Sequence, residues 1–219
     1  MYPAFAKLPE ERQELIMTIC IEEFAKYGYT NTSTDIITAR AGISKGILFH
    51  YFKSKKNLYL AVVKHAMDVL VEKTVAETAK IGASDFFEHI KEIVLAKQRI
   101  TMNYFNETEL VQRVIAHPPK GVQAEVEKLI ADYQKTFSTP AMLKSIYRSE
   151  LLESAPLRDG LNVEQVFSHV TFVLNALSNK YLQLHKAQAH PPTVIEEKLI
   201  NEIETFIDMI KFGVYRQPE

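Results

Sequence analysis

Tryptophan is absent from this chain, and cysteine occurs once in 219 residues, as Cys20. A single cysteine excludes an internal disulfide and fits a reducing compartment. Its spacing from Ile16 and Phe24 puts it on one helix face with them, as a small core residue. Glycine is scarce: seven residues, each isolated, leave no glycine-rich phosphate loop and no Gly-x-Ser-x-Gly nucleophile turn. A His-Glu-x-x-His pair is missing as well, and His185 and His190 stand five apart, the wrong interval for two ligands on one helix face. No enzyme activity, metal or cofactor is therefore expected. No apolar run approaches the roughly 18 residues needed to span a bilayer. The segment from Met1 to Lys7 also lacks the charged-then-apolar order of a signal peptide. A cytoplasmic protein with no membrane partner is predicted.

What is present is a helical pattern. At 47% hydrophobic the chain can bury a sizeable core, and its apolar residues recur at intervals of three and four without sustained alternation, which predicts an all-α fold. The net charge of −1 hides an uneven distribution. Residues 1–56 hold eight Lys/Arg against six Asp/Glu, and the remainder eighteen against twenty-one. From Arg40 to Lys56 there are five basic residues and no acidic one. A basic patch on a near-neutral protein favours a confined nucleic-acid footprint over general polyanion binding.

Residues 28–56 read as a helix-turn-helix. Gly28 ends a helical pattern that begins at Glu10 and can take the left-handed conformation that closes a helix. Thr32 or Ser33 then caps a short helix, on which Ile36, Ile37 and Ala41 form the apolar stripe. Gly42 permits a sharp turn, Ser44 caps a second helix of about Lys45 to Tyr51, and that helix buries Leu48 and Phe52. Ser54 caps a third helix opening with Lys55 and Lys56, so free amide N–H groups and two ammonium groups meet where a phosphate would be held.

The ordered string Arg12-x3-Ile16, Glu23-Phe24-Ala25, Gly28-Tyr29, Thr32-Ser33, Ile37, Ala41-Gly42-Ile43-Ser44-Lys45-Gly46, Leu48-Phe49-His50-Tyr51-Phe52 and Lys53-Ser54-Lys55 resembles the tetracycline-repressor (TetR) family of bacterial transcription regulators. The likeness covers about the first 60 residues. Phe49 stands where many members carry Tyr, and Thr38 where a small residue is common, which removes one hydrogen-bonding phenol from the DNA face. The resemblance implies a three-helix DNA-binding domain at residues 1–54 and a helical effector-binding and dimerisation domain at 55–219. It also implies a repressor that binds a palindromic operator in double-stranded DNA as a homodimer and is released by a small apolar effector. Two other readings remain: a regulator that is ligand-independent or controlled by a partner protein, and an activator.

On the second helix of the motif, Lys45, Gly46, Phe49 and His50 are the candidates for base-edge contacts. Thr32, Ser33, Ser44, Tyr51, Lys55 and Lys56 are the candidates for phosphate contacts, which position without reading sequence.

Beyond the motif, helices are predicted from Lys55 to near Lys80, from a Ser84 cap to about Asn106, from Glu107 to Ala116, from Gln123 to Phe137 and from Thr139-Pro140 to about Leu152. The two domains are expected to share the helix from Lys55. Asn162 caps a helix to about Gln188, and the capping box Thr193-x-x-Glu196 opens the last helix, to about Phe212. These last two helices carry apolar arcs wider than one core needs. By the resemblance, a two-fold dimer covers the surplus, with Val170, Leu174, Leu177, Ile203, Phe206 and Ile210 drawn from the pool that serves both core and interface. Met102, Tyr104, Phe105, Tyr133, Phe137, Tyr147, His169 and Phe172 have the aromatic, polarizable character of an effector pocket. They would serve equally well in an ordinary core.

Overall fold

The computed structural model describes residues 2–137, 139–155, 157–187 and 192–214, with side chains at all of these except 140, 141, 185, 186, 192, 193 and 214. The capping box at Thr193 and the histidines 185 and 190 lie outside the described side chains. Among the described residues the regular elements are helices, so the chain is all-α. It groups into two compact units, residues 1–73 with 103–138 and residues 74–102 with 139–219.

In the first unit, α1 (Glu10–Asn31), α2 (Thr34–Ala41), α3 (Lys45–Phe52) and the opening of α4 (Lys55–Thr78) surround a core built from Ile16, Cys20, Phe24, Ile37, Leu48, Phe52, Leu58 and Val62. Each such side chain removed from water contributes roughly 1.5–3 kcal/mol. Gly28 bends α1 at φ 72°, ψ 178°, a backbone region essentially reserved for glycine. Beyond the bend, Thr32 closes the helix by donating its amide to the Gly28 carbonyl. Burial, with the Glu23 carboxylate beside it, pushes the Cys20 thiol up to about 12.

Helix α5 (Phe86–Asn103) belongs almost wholly to the second unit, and α6 (Phe105–Ala116) returns the chain to the first, where it packs against α1. The division by packing therefore differs from the functional boundary expected at residue 54. Leu110 and Val114 of α6, Val122 of the short 3-10 turn Lys120–Val122, and Val126 of α7 (Gln123–Phe137) extend the same core as α3. The helix from Lys55 runs from the first unit into the second at Thr74.

The second unit adds α8 (Pro140–Tyr147), α9 (Glu150–Glu153), α10 (Val163–Lys186) and α11 (Pro192–Val214). Phe86, Phe87, Ile90 and Ile93 of α5 pack with Val166, Val170 and Leu174 of α10 and with Ile195, Leu199 and Ile203 of α11. Lys180 and Tyr181 both bond Glu202, which sets the register of the antiparallel α10–α11 pair.

Several local expectations need correction. Asp85, not Ser84, caps α5: its Oδ1 accepts from the amides of Phe87 and Glu88 at 3.0 Å each. A carboxylate at that place also favours the positive end of the helix dipole. The helix expected to reach Asn106 breaks at Tyr104, which leaves helical geometry at φ −119°, ψ 49°. The one expected to reach Leu152 breaks at Arg148, left-handed at φ 47°, ψ 51°.

Candidate nucleic-acid interface

The turn between α2 and α3 is made by Gly42, left-handed at φ 62°, ψ 36°, whose neighbour Ile43 donates its amide to the Thr38 carbonyl at 3.1 Å. The Ser44 hydroxyl accepts from the Ile47 amide at 3.2 Å and so starts α3 as a cap. Leu48 and Phe52 are fully buried, so α3 is held from one side. Lys45, Gly46 and His50 are exposed on the other, and Phe49 is half-buried. Three of the four base-contact candidates thus stand open to solvent, together with Ile47, which is 42% exposed and is not one of the four. Ile36 of α2 also faces solvent, at 49%. The signal was in the spacing: Ile37 and Ala41 are four apart and share a face, whereas Ile36 is about 100° away from Ile37.

Among the phosphate candidates the outcome is divided. Thr32 is only 3% exposed, and its hydroxyl donates back to the carbonyls of Glu23 and Gly28 at 3.0 and 2.6 Å. It secures the end of α1 and does not present its hydroxyl outward. Ser33 is the N-cap residue of α2 but makes no side-chain capping bond. Ser44 is the cap of α3, exposed, and Tyr51 is half-buried edge-on to Phe5. The Lys55 ammonium donates to the Thr30 carbonyl at 3.1 Å and lies 5.4 Å from the centre of the Tyr29 ring. Burial holds it below the ordinary lysine range. Lys56 pairs with Glu125 of α7.

The remaining basic residues of the patch are engaged too. Arg40 bridges Glu22 and Glu23, and those hydrogen bonds raise its already high pKa. Lys45 lies 2.9 Å from Asp35. The Lys53 ammonium donates to the His50 carbonyl at 2.9 Å. All five basic side chains from Arg40 to Lys56 thus have a protein partner, three of them carboxylates supplied by α1, α2 and α7. Sequence inspection of that stretch alone could not show this, because each carboxylate partner lies outside it. An ammonium carries three donors, so each lysine can still offer N–H groups to a phosphate.

The eight pocket candidates divide between the two units. Tyr133 is buried in the first unit, its hydroxyl donating to Asp68, and Phe137 packs on the same core. Tyr104 and Phe105 also belong to the first unit, whereas Met102 belongs to the second. Tyr147 packs on Phe167 and accepts from Lys97 at 2.7 Å. His169 is exposed, and Phe172 is 74% exposed. The second unit instead holds an open cavity of about 460 Å³ bordered by Leu143, Ser149, Val163 and Phe167. Of the dimer candidates, Val170, Leu174, Leu177 and Ile203 are buried in the monomer core, and Phe206 and Ile210 are half-buried against it. Among the described residues, the large apolar side chains exposed on these helices are Phe172, Met209 and Phe212, at 74%, 71% and 72%. Among the described residues, no group of three His, Cys, Asp or Glu is arranged to hold a metal, and no helix is long and apolar enough to cross a membrane.

Two helices joined at a left-handed glycine, the second anchored by Leu48 and Phe52 and turned outward at Lys45 and His50, define a DNA-reading helix-turn-helix protein. Residues 17–62 match the profile of the tetR family of bacterial regulatory proteins. That segment belongs to the family, and the whole chain has the fold solved for its members. A TetR family transcriptional regulator from Chloroflexus aurantiacus superposes with a TM-score of 0.62 over 98% of both chains at 19% identity, a likeness of fold alone. In sequence, the chain is 23% identical over 133 residues to the regulator YhgD of Bacillus subtilis, covering 56% of this chain and 69% of that one. It is 41% identical over 66 residues to the transcriptional activator FasR of Mycolicibacterium smegmatis, 30% of each chain. The stronger identity is confined to a short stretch.

Proposed function

We propose that this chain is a cytoplasmic transcription regulator that binds a palindromic operator as a two-fold dimer, with α3 of each copy in the major groove, and acts as a repressor. The observation that carries the reading is the outward face of α3, where Lys45, Gly46, Ile47 and His50 are exposed on a helix fixed by Leu48 and Phe52. Lysine donates to guanine acceptors, glycine admits close approach, and isoleucine meets a thymine methyl. One eight-residue helix reads too few base pairs for a genome, so a two-fold pair of heads is required. Exposed Phe172, Met209 and Phe212 support pairing through α10 and α11. From the Tyr181–Glu202 bond, nine residues back along α10 reach Phe172, and seven to ten forward along α11 reach Met209 and Phe212, so all three stand at one height on the antiparallel pair.

The open cavity beside Phe167 supports control by a small, largely apolar effector in the second unit. An effector shifts DNA affinity only by its differential affinity for the bound and released forms. Activation in place of repression is favoured by one observation, the description of FasR as an activator. The deciding experiment is a fluorescence-anisotropy titration of the full chain with the DNA flanking its own gene and with scrambled duplex. The proposal expects a preference for one palindrome and a log–log salt slope of roughly −5 to −7 for three or four phosphates per subunit. Equal affinity for every duplex would reject it, and transcription from that promoter in vitro separates repression from activation.

A further inference from the structure

The first unit holds a cavity of about 340 Å³ under the amino-terminal arm, away from the outward face of α3. Its lining is apolar and aromatic: Tyr2 and Phe5 of the arm and Met17 of α1, with the buried Phe52 of α3 packed against both rings. Phe5 and Tyr2 lie 4.9 and 5.2 Å from Phe52 by ring centres, so the arm is held over the cavity by ring contacts. The volume falls in the range of small-molecule pockets.

The rim is charged, and its charge is unbalanced. On α4, Asp68 accepts from Lys64 at 2.7 Å and from the Tyr133 hydroxyl, so those groups satisfy one another. On α1, Glu10 and Glu14 both border the cavity and have no hydrogen-bond or ion-pair partner among the described residues. Glu10 stands in the first turn, where the helix dipole favours it; Glu14 lies beyond that turn. Four residues apart, the two share a face and repel each other. The remaining rim groups, Gln13 and His65, bring no permanent charge, and Gln13 donates to the Leu8 carbonyl at 2.8 Å. Two carboxylates without a partner among the described residues therefore border the same cavity as the rings of Tyr2 and Phe5, and aromatic rings attract cations.

We propose that this cavity binds an organic monocation with an aromatic or compact apolar body, an arylalkylammonium in chemical class. The ammonium lies toward Glu10 and Glu14, and the apolar body lies on Tyr2, Phe5 and Met17.

The test is calorimetric titration of the full chain with benzyltrimethylammonium, beside benzyl alcohol and phenylacetate as neutral and anionic probes. Saturable binding of one cation per chain is expected, with both other probes weaker by about tenfold or more. In the double variant Glu10→Gln/Glu14→Gln, at two exposed positions, the cation's affinity should fall by a similar factor while the neutral probe is unaffected. Ala61→Leu, which fills the cavity from α4, should abolish binding of the cation. Absence of saturable binding, equal affinity for the neutral probe, or an unchanged affinity in the glutamine variant overturns the proposal. Because the readout is binding heat without DNA, its failure leaves the regulatory reading untouched.

Discussion

The ammonium of Lys45 lies 2.9 Å from the carboxylate of Asp35, so the single lysine of α3 is already paired before any DNA arrives. The carboxylate comes from the first turn of α2, the helix that precedes the glycine turn. A phosphate or guanine must compete with it.

Asp35→Asn should therefore tighten DNA binding. Exposed pairs of this kind are worth up to about 1 kcal/mol, and a dimer carries two, so a gain of roughly threefold to tenfold in affinity at low salt is expected. Lys45→Ala should weaken binding and blunt discrimination between operator and random duplex. Anisotropy titrations of both variants check this, and weaker binding by Asp35→Asn would show that the carboxylate positions Lys45 rather than competing for it.

Lys55 separates a structural lysine from a phosphate-binding one. Its ammonium is bonded to the Thr30 carbonyl and lies over Tyr29, where burial lowers its pKa. Lys55→Met should cost about 1 kcal/mol of stability for the lost hydrogen bond and leave the salt slope of DNA binding nearly unchanged. Urea unfolding and the slope, measured on one preparation, decide between the two roles.

Gly28 and Gly42 hold backbone conformations that side chains resist. Gly28→Ala should cost about 2–3 kcal/mol, because φ is 72° with ψ 178° and a Cβ would also meet the Arg113 guanidinium at 3.2 Å. Gly42→Ala, in a left-handed position whose nearest atom is 3.7 Å away, should cost about 1 kcal/mol. Gly42→Asn should recover part of that loss. Thermal melts followed by circular dichroism rank the three.

Core and assembly should come apart in the second unit. Leu177→Glu places a charge in the buried cluster and should unfold that unit. Phe172→Glu sits at a 74% exposed position and should leave the fold intact while yielding monomers in sedimentation. A folded Phe172→Glu dimer indistinguishable from the parent would move the interface elsewhere.

Alkaline pH should unfold the protein progressively. Burial, with the Glu23 carboxylate beside it, raises Cys20 from 9.0 to about 12. Burial likewise raises Tyr59 from 10.0 to about 12. Burial, together with a hydrogen bond to Glu202, raises Tyr181 to about 12. Above pH 9 to 10 the unfolded chain releases these protons while the folded chain retains them, so stability falls as pH rises through that window. Below pH 8 these groups contribute no slope. Urea midpoints at pH 8 and 10.5 should show the fall, and Tyr59→Phe should reduce it.

The helix-turn-helix was legible because its information is local. Gly42 needs a positive φ, Ser44 a nearby amide, and Leu48 and Phe52 one shared face; each requirement spans a few residues and is visible in their order. Helix α7, bounded by Gln123 and Phe137, was equally clear from its period. Arg148 was not: nothing near it announces a left-handed residue, and the break is stabilised at a distance, its guanidinium donating to the Ala83 carbonyl at 3.1 Å.

By itself the sequence determined the all-helical class, the order of the helices and the outward face of α3, since periodicity and capping are properties of neighbours along the chain. Tertiary structure decided which charges and which apolar stripes remain available. Lys55 and Lys56 read alike as phosphate-contact candidates, and the fold gives them different partners, the Thr30 carbonyl and the Glu125 carboxylate. Val170 and Leu177 likewise suit core or interface alike until Leu199 and Ile203 of α11 join them in one buried cluster, which leaves Phe172 and Met209 outside. Pairing and burial depend on residues far apart in sequence, and only the folded chain selects among the partners that local pattern permits.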